Sequence, residues 1–477
     1  MKINNNISAI ISNKHLLRNE DALSKSMERL SSGFRINHAY DDPSGMSISN
    51  KMNAQIDGLD RASRNSSDGM SVIDTADGAM QEITAMIQRM RELSVQAAND
   101  LNSYTDKQAI QVEIDNLKSE VDRIASTTEF NTKALLDGSL DNRVYADNVS
   151  RVQTSEKVEE GKYAFTIEKA ATQATVATLT TIPDTLANSG SVSFNGYEIS
   201  LEKGMSREEV YEALRKGAEI GNAQIDSKMD ENLVFKSENY GSDAVLDIKV
   251  SDAGLAAELG LDMEGLNDKS VTPPRVPRGT NAEVTLDKAN SEFKDHQQAT
   301  VHYKGNKIVI SDSNGFEISL MMKEGFDKTT DTSTNDKGKI VLDVTDIGPM
   351  DLQIGANEGQ MMTVKMAAMD TKSLYIDDLD ITKQGGASRA IAQLDEALAA
   401  VNKSRASLGA YSNRLEYTVA SLNTTSENMN QAVSRIKDVD MATEMVEYTK
   451  DNVLQQAGTS ALAQANELPQ MALQLLQ

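Results

Sequence analysis

Residues able to do chemistry are few in this chain and stand far apart. Its four histidines fall at 15, 38, 296 and 302, and it has no cysteine. Disulfides and thiolate metal sites are therefore excluded. His302 lacks the glutamate of a His-Glu-x-x-His zinc helix, and no P-loop, dinucleotide fingerprint or EF-hand loop occurs. Asp377, Asp378 and Asp380 are close enough in sequence to suggest a cation, but a solvated acidic loop is the simpler reading. Asn148-Val149-Ser150 matches a glycosylation sequon at chance-level odds. The expectation is a protein with no catalytic residue, no cofactor and no metal.

Charge narrows the partners. The net charge is −24 and the sequence pI is near 4.7. Nucleic acid and anionic membrane surfaces both call for basic patches, so neither is expected as a partner. No cleavable signal or membrane-spanning stretch is visible in the sequence. An external location would then require an export route that reads no such signal. Aromatics make up 4 % of the residues and tryptophan is absent. That composition suits long helices with shared seams better than several dense cores.

The elements follow from spacing. From Ile391 to Ile436 the three–four step runs through Leu394, Leu398, Val401, Leu408, Leu415, Val419, Leu422, Met429 and Val433. Arg405, Ser412 and Ser426 are the breaks in this seam. A 3.5-residue period held this long predicts a coiled-coil helix about 70 Å long. A second such helix runs from Ile48 through Met52, Leu59, Ile73, Met80, Ile83, Ile87 and Met90 to Ala97. Gly58, Gly69 and Gly78 interrupt it and are expected to give it flexibility. A third helix carries Ile110, Ile114, Leu117, Val121 and Ile124.

Both chain ends are weaker helices. One end carries Ile3, Ile7, Ile10, Leu17 and Leu30; the other carries Leu454, Leu462, Leu473 and Leu476. Alone each is marginal. Joints are expected at Asp41-Asp42-Pro43-Ser44-Gly45 and at Asp438–Asp440. The helical period disappears over 141–348. Strands take its place, with an Asn195-Gly196 hairpin turn and a Ser206/Glu209 capping box. Pro273, Pro274 and Pro277 mark a linker between two small modules. A further hairpin is expected around Gly355–Gly359.

The predicted fold is mainly α. It is a long antiparallel coiled-coil helical rod built from both chain ends, with a β-hairpin and inserted β-rich or α+β outer domains. The expected division is 1–40 with 437–477 (terminal helices), 41–140 with 349–436 (rod and hairpin), 141–275 (first insert) and 276–348 (second insert).

Several motifs at both ends carry a family resemblance. They include Arg29-Leu30-Ser31-Ser32-Gly33-Phe34-Arg35-Ile36-Asn37, Gln88-Arg89-Met90-Arg91-Glu92-Leu93-Ser94, Ser434-Arg435-Ile436-Lys437-Asp438, Leu454-Gln455-Gln456-Ala457-Gly458 and Gln464-Ala465-Asn466. Over about 1–140 and 349–477 the chain resembles bacterial flagellin. The resemblance implies a subunit exported unfolded through the flagellar type III route and polymerised into an extracellular filament for motility. It implies terminal segments that order on assembly, with Ile3, Ile7, Ile10, Leu30, Leu454, Leu462, Leu473 and Leu476 in the polymer contacts. Implied partners are sibling copies, a chaperone on about 437–477, and the filament cap and hook-junction proteins. Toll-like receptor 5 is implied as well, at Arg89, Leu93 and Glu113. A hook–filament junction protein has similar ends, and the insert could carry an adhesin or enzyme. The Gln-Gln-Ala-Gly and Gln-Ala-Asn motifs favour the filament subunit. Pro43 departs from the family's usual small residue.

Overall fold

The computed structural model describes residues 6–474 apart from 100, 156, 230, 262–275, 289–290, 297, 324 and 327–336, with side chains described as far as 467. Seven helices are described: α1 (Ile7–Ser32), α2 (Pro43–Ala97), α3 (Tyr104–Thr127), α4 (Arg207–Ile220), α5 (Ala253–Glu258), α6 (Gly386–Lys437) and α7 (Met441–Gln474). The chain divides into two compact units. One comprises 1–70, 352–362 and 413–477; the other comprises 71–351 and 363–412.

In the first unit, α1 and α7 pack on each other. Asn6 caps α1 by accepting the Ala9 N–H at 3.1 Å. The helix ends at Gly33, whose φ of 76° suits glycine. Pro43 opens α2, where its missing N–H costs nothing. The Asp42 carboxylate accepts the Gly45 N–H at 2.9 Å. The turn after α1, rather than the expected joint at Asp41–Gly45, closes on the joint between α6 and α7. Arg35 N–H donates to Lys437 O at 2.7 Å, Val439 N–H donates to Gly33 O at 3.0 Å, and the Lys437 ammonium lies 4.4 Å from the Phe34 ring centroid.

The start of α2 runs antiparallel to the end of α6 in this unit. Asp60 accepts from Ser426 Oγ at 3.0 Å, and Ser63 Oγ donates to Asn423 at 3.0 Å. Leu59, Ala62 and Leu422 form a small apolar cluster between them. Strands Met350–Gln353 and Met361–Val364 form the expected hairpin. Its tip and its first strand lie against two glycines of α2. A Cβ on Gly58 would lie 2.9 Å from Ala356 Cβ, and one on Gly69 would lie 2.5 Å from Leu352 Cδ1. These glycines allow a close approach, which is a different role from the flexibility expected of them. Of the three expected glycines, Gly78 alone has open space beside it.

In the second unit, α2 buries Ile73, Met80, Ile87 and Ser94 at seven-residue steps, and Ala76, Ile83, Met90 and Ala97 likewise. The buried hydroxyls of Thr84 and Ser94 donate to the carbonyls of Met80 and Met90 at 2.7 and 2.8 Å, so neither is left unsatisfied. On α6, Leu394, Val401 and Leu408 are buried at the same interval. Here too the two helices run antiparallel: Arg405 Nε donates to Asp77 at 2.8 Å and Arg91 Nε to Asp395 at 2.6 Å. The break in the seam at Arg405 is thus an ion pair.

The Asp377–Asp380 stretch keeps Asp378 exposed, yet it is more than the solvated acidic loop that its composition suggested. It belongs to a strap in which Met366, Met369, Leu374, Ile376, Leu379 and Ile381 are all buried. Asp122 of α3 accepts from Thr371 N and Oγ1 at 2.7 and 2.9 Å. Gln111 bonds Leu379 O and Ile381 N, each at 2.9 Å. Asp377 is held by the Arg151 guanidinium at 2.5 and 2.9 Å. The strap's apolar residues have no regular period, so spacing did not reveal them.

The inserted strands also depart from the expected split at 275/276. Gly161–Lys169 pairs with Glu283–Leu286 and Lys339–Thr345, and Val149–Thr154 pairs with Glu317–Met322. Two four-stranded sheets result, around a core that includes Tyr163, Phe165, Phe293 and Phe316. The second module is nested inside this one. It packs two three-stranded sheets with α4 and α5 around Val192, Phe194, Leu214, Phe235 and Leu255. Antiparallel pairing of the strands that begin and end the insert, Arg143 against Thr345, makes nesting the natural outcome. Asn195 and Gly196 both have positive φ, as a two-residue hairpin turn needs. Ser206 and Glu209 form the capping box. Pro273 and Pro274 lie outside the described residues.

Candidate assembly interface

The α1/α7 pair buries several polar groups and leaves much apolar surface exposed. Ser26 is the buried residue of α1, and α7 buries Glu444, Asp451 and Ala465. The Ser26 hydroxyl donates to the Glu444 carboxylate, and Arg29 lies 3.8 Å from it. Many of the large apolar side chains face outward, while Leu16, Leu23, Leu30 and Leu462 are half-buried. Ile7 is 66 % exposed, Ile10 63 % and Val446 70 %; Ile11, Leu17, Met27, Met441, Met445, Val453 and Leu454 are exposed as well. A pair that satisfies its polar groups inside and leaves its apolar stripe outside presents a surface for another apolar surface.

Of the residues expected in polymer contacts, Ile7, Ile10 and Leu454 are exposed on this pair. Leu30 and Leu462 are half-buried. Ile3, Leu476 and the side chain of Leu473 lie outside the described residues. Met441, Met445, Val446 and Val453 belong to the same stripe but were missed as site residues. Their spacing at the start of α7 carried the signal.

The expected receptor residues do not all share one face. Arg89 donates to Glu113 from Nη2 at 2.8 Å and from Nε at 3.1 Å, and reaches Glu92 at 3.3 Å. Hydrogen bonds to Glu113 and then Glu92 hold the guanidinium pKa above its ordinary value. Leu93, at 2 % exposure, points into the core. It lies between the buried rows of α2, three residues after Met90 and next to Ser94.

Family models match both helical ends. Residues 3–141 match the bacterial flagellin N-terminal helical region and residues 391–476 the C-terminal helical region. Flagellin B of Vibrio anguillarum is 32 % identical over 100 % of this chain and 99 % of its own length. The chain belongs to the bacterial flagellin family. Flagellin of Clostridium tyrobutyricum is 33 % identical over 98 % of this chain and 100 % of its own. Among solved structures, FliC from Burkholderia pseudomallei is similar at 19 % identity over 72 % of this chain and 99 % of that chain, with a TM-score of 0.24. That score is too low to support a comparison of folds.

As a flagellin, the chain is a structural protein of the bacterial flagellar filament. Among the described residues no helix is long and apolar enough to cross a membrane.

Proposed function

We propose that this flagellin polymerises through the α1/α7 stripe into the filament used for motility. The supporting observation is the apolar surface that the pair leaves exposed, with Ile7, Ile10 and Val446 outward while Ser26 and Glu444 are inward. In a filament the stripe meets the equivalent helices of neighbouring copies, and its exposed apolar area leaves water. The heptad rows on α2 and α6 support coiled-coil packing into an antiparallel rod, with the inserted modules outermost. The four-part division into terminal helices, rod and two outer modules belongs to this reading, with the outer modules nested.

Export precedes assembly. The unfolded chain passes through the flagellar type III route to the outside of the cell. A chaperone covers 437–477, where exposed Met441, Met445 and Leu454 would otherwise promote early association. The filament cap and the hook-junction proteins contact the two ends of the polymer. Arg89 and Glu113 form the exposed polar part of a Toll-like receptor 5 epitope, which Leu93 supports from beneath.

The test is polymerisation of the purified full chain, followed by electron microscopy and sedimentation. Tubes are expected from the full chain, and none after removal of about forty residues from either end. Tubes formed by either truncated chain would overturn the reading.

A further inference from the structure

Within the second unit lies a cleft of about 780 Å³. One wall is α6 from Glu396 to Leu408; the other is the sheet containing Thr300–Lys304, Lys307–Ser311 and Glu317–Met322. Lys157, Lys304, Lys307, Lys365 and Lys403 line it, against the carboxylates Asp141, Glu317 and Glu396. In a chain with 72 acidic and 48 basic residues, this is a local reversal of sign.

The carboxylates are unevenly placed. Glu396 accepts from Lys304 at 2.7 Å and from Lys307 at 3.2 Å, and Glu317 accepts from Lys403 at 2.6 Å. Lys157 and Lys365 form no direct ion pair among the described residues, though the Lys365 charge acts on the Asp141 carboxylate. At the floor, Tyr375 is held at φ 56°, a left-handed conformation unusual for a bulky side chain. Its ring carries the Lys307 ammonium 4.2 Å from the centroid.

Between these charges the lining mixes hydroxyl and carboxamide groups, from Gln153, Thr154, Ser155, Ser404 and Ser407, with apolar side chains that include Met80, Val309, Met366 and Leu408. It includes no arginine fork, the geometry suited to bidentate phosphate recognition. No helix N-terminus offers its N–H groups there either, since α6 meets the cleft through its interior. Lysines act as separate point charges. Point charges spaced by hydroxyl partners suit a ligand with occasional carboxylates and many hydroxyls. Glu396, seated between two lysines, already shows how this wall receives a carboxylate.

We propose that the cleft binds an acidic oligosaccharide, with carboxylates on Lys157 and Lys365 and ring hydroxyls on the serine, threonine and glutamine lining. Calorimetric titration of the full chain tests this with four probes. Trigalacturonate carries a carboxylate on every ring, sialyllactose carries one, maltotriose carries none, and tripolyphosphate is the anion without sugar. Trigalacturonate is expected to bind at least tenfold tighter than maltotriose. Sialyllactose in place of trigalacturonate as the tighter acidic probe would assign the sialic rather than the uronic class and support the site equally.

Lys157→Ala, a change at an exposed position, should weaken acidic-sugar binding at least fivefold. Glu396→Gln should strengthen it about threefold by freeing Lys304 and Lys307. Glu416→Gln, exposed on α6 outside the cleft, should leave it unchanged. Absence of binding would overturn the proposal, as would equal binding of maltotriose or tighter binding of tripolyphosphate. An unchanged Lys157→Ala protein, or an equal gain from Glu416→Gln, would also overturn it.

Discussion

Asp141 shows how one carboxyl can tie stability to pH. Burial pushes its pKa from 3.8 to about 6, against the lowering effects of the Asn142 N–H and Lys365. The folded value exceeds the unfolded one, so between the two the folded chain binds the proton that the unfolded chain releases. Stability from this group is therefore greatest in acid, falls as pH rises from about 4 to about 6, and stays level above that. Asp141→Asn should stabilise the protein at pH 7 by about 1–3 kcal/mol and flatten that slope. Urea midpoints across pH 4–7 for both proteins check this; parallel curves would refute it. At Arg89 the expectation differs, because the pair with Glu113 is exposed. Arg89→Ala should leave the melting temperature almost unchanged and weaken monomer binding to Toll-like receptor 5. Binding equal to that of the unaltered protein would remove Arg89 from the epitope.

At the scale of elements, α2 separates two uses of glycine. Gly58 lets the hairpin approach, since its Cβ would meet Ala356 at 2.9 Å. Gly78 has nothing within 4 Å. Gly58→Ala should therefore cost about 1–3 kcal/mol through overpacking. Gly78→Ala should add about 0.5–1 kcal/mol through helix propensity. Denaturant midpoints of the two variants should move in opposite directions, and a shared direction would contradict the contact geometry. The same contact makes Gly58→Ala a probe of filament shape. A hairpin pushed off α2 should alter the waveform seen by electron microscopy.

At the scale of the molecule, the α1/α7 pair decides between a subunit and a finished protein. It buries Ser26, Glu444 and Asp451 while Ile7, Ile10, Met445 and Val446 stay exposed, and under the proposed assembly other copies cover that apolar area. Replacing Ile7 and Ile10 together with aspartate should abolish polymerisation. The helix content seen by circular dichroism should change little, because both side chains are already in water. Fibres from this double variant would show that the stripe is not the assembly surface.

Local rules settled much of this chain before any tertiary contact was considered. The heptad rows of α2 and α6, the Pro43 helix start, the Asn195-Gly196 turn and the Ser206/Glu209 box each depend on near neighbours, and each was legible in the residues. The motifs at both ends were enough to place the family. Other features depend on residues far apart in the chain, and only the folded structure could decide them. Whether Gly58 is a hinge or a seat depends on Ala356. Whether Leu93 faces a receptor or the core depends on what packs against α2. The nesting of the inserted modules depends on which strand Gly161–Lys169 chooses as neighbour, a choice set by long-range pairing that periodicity does not encode.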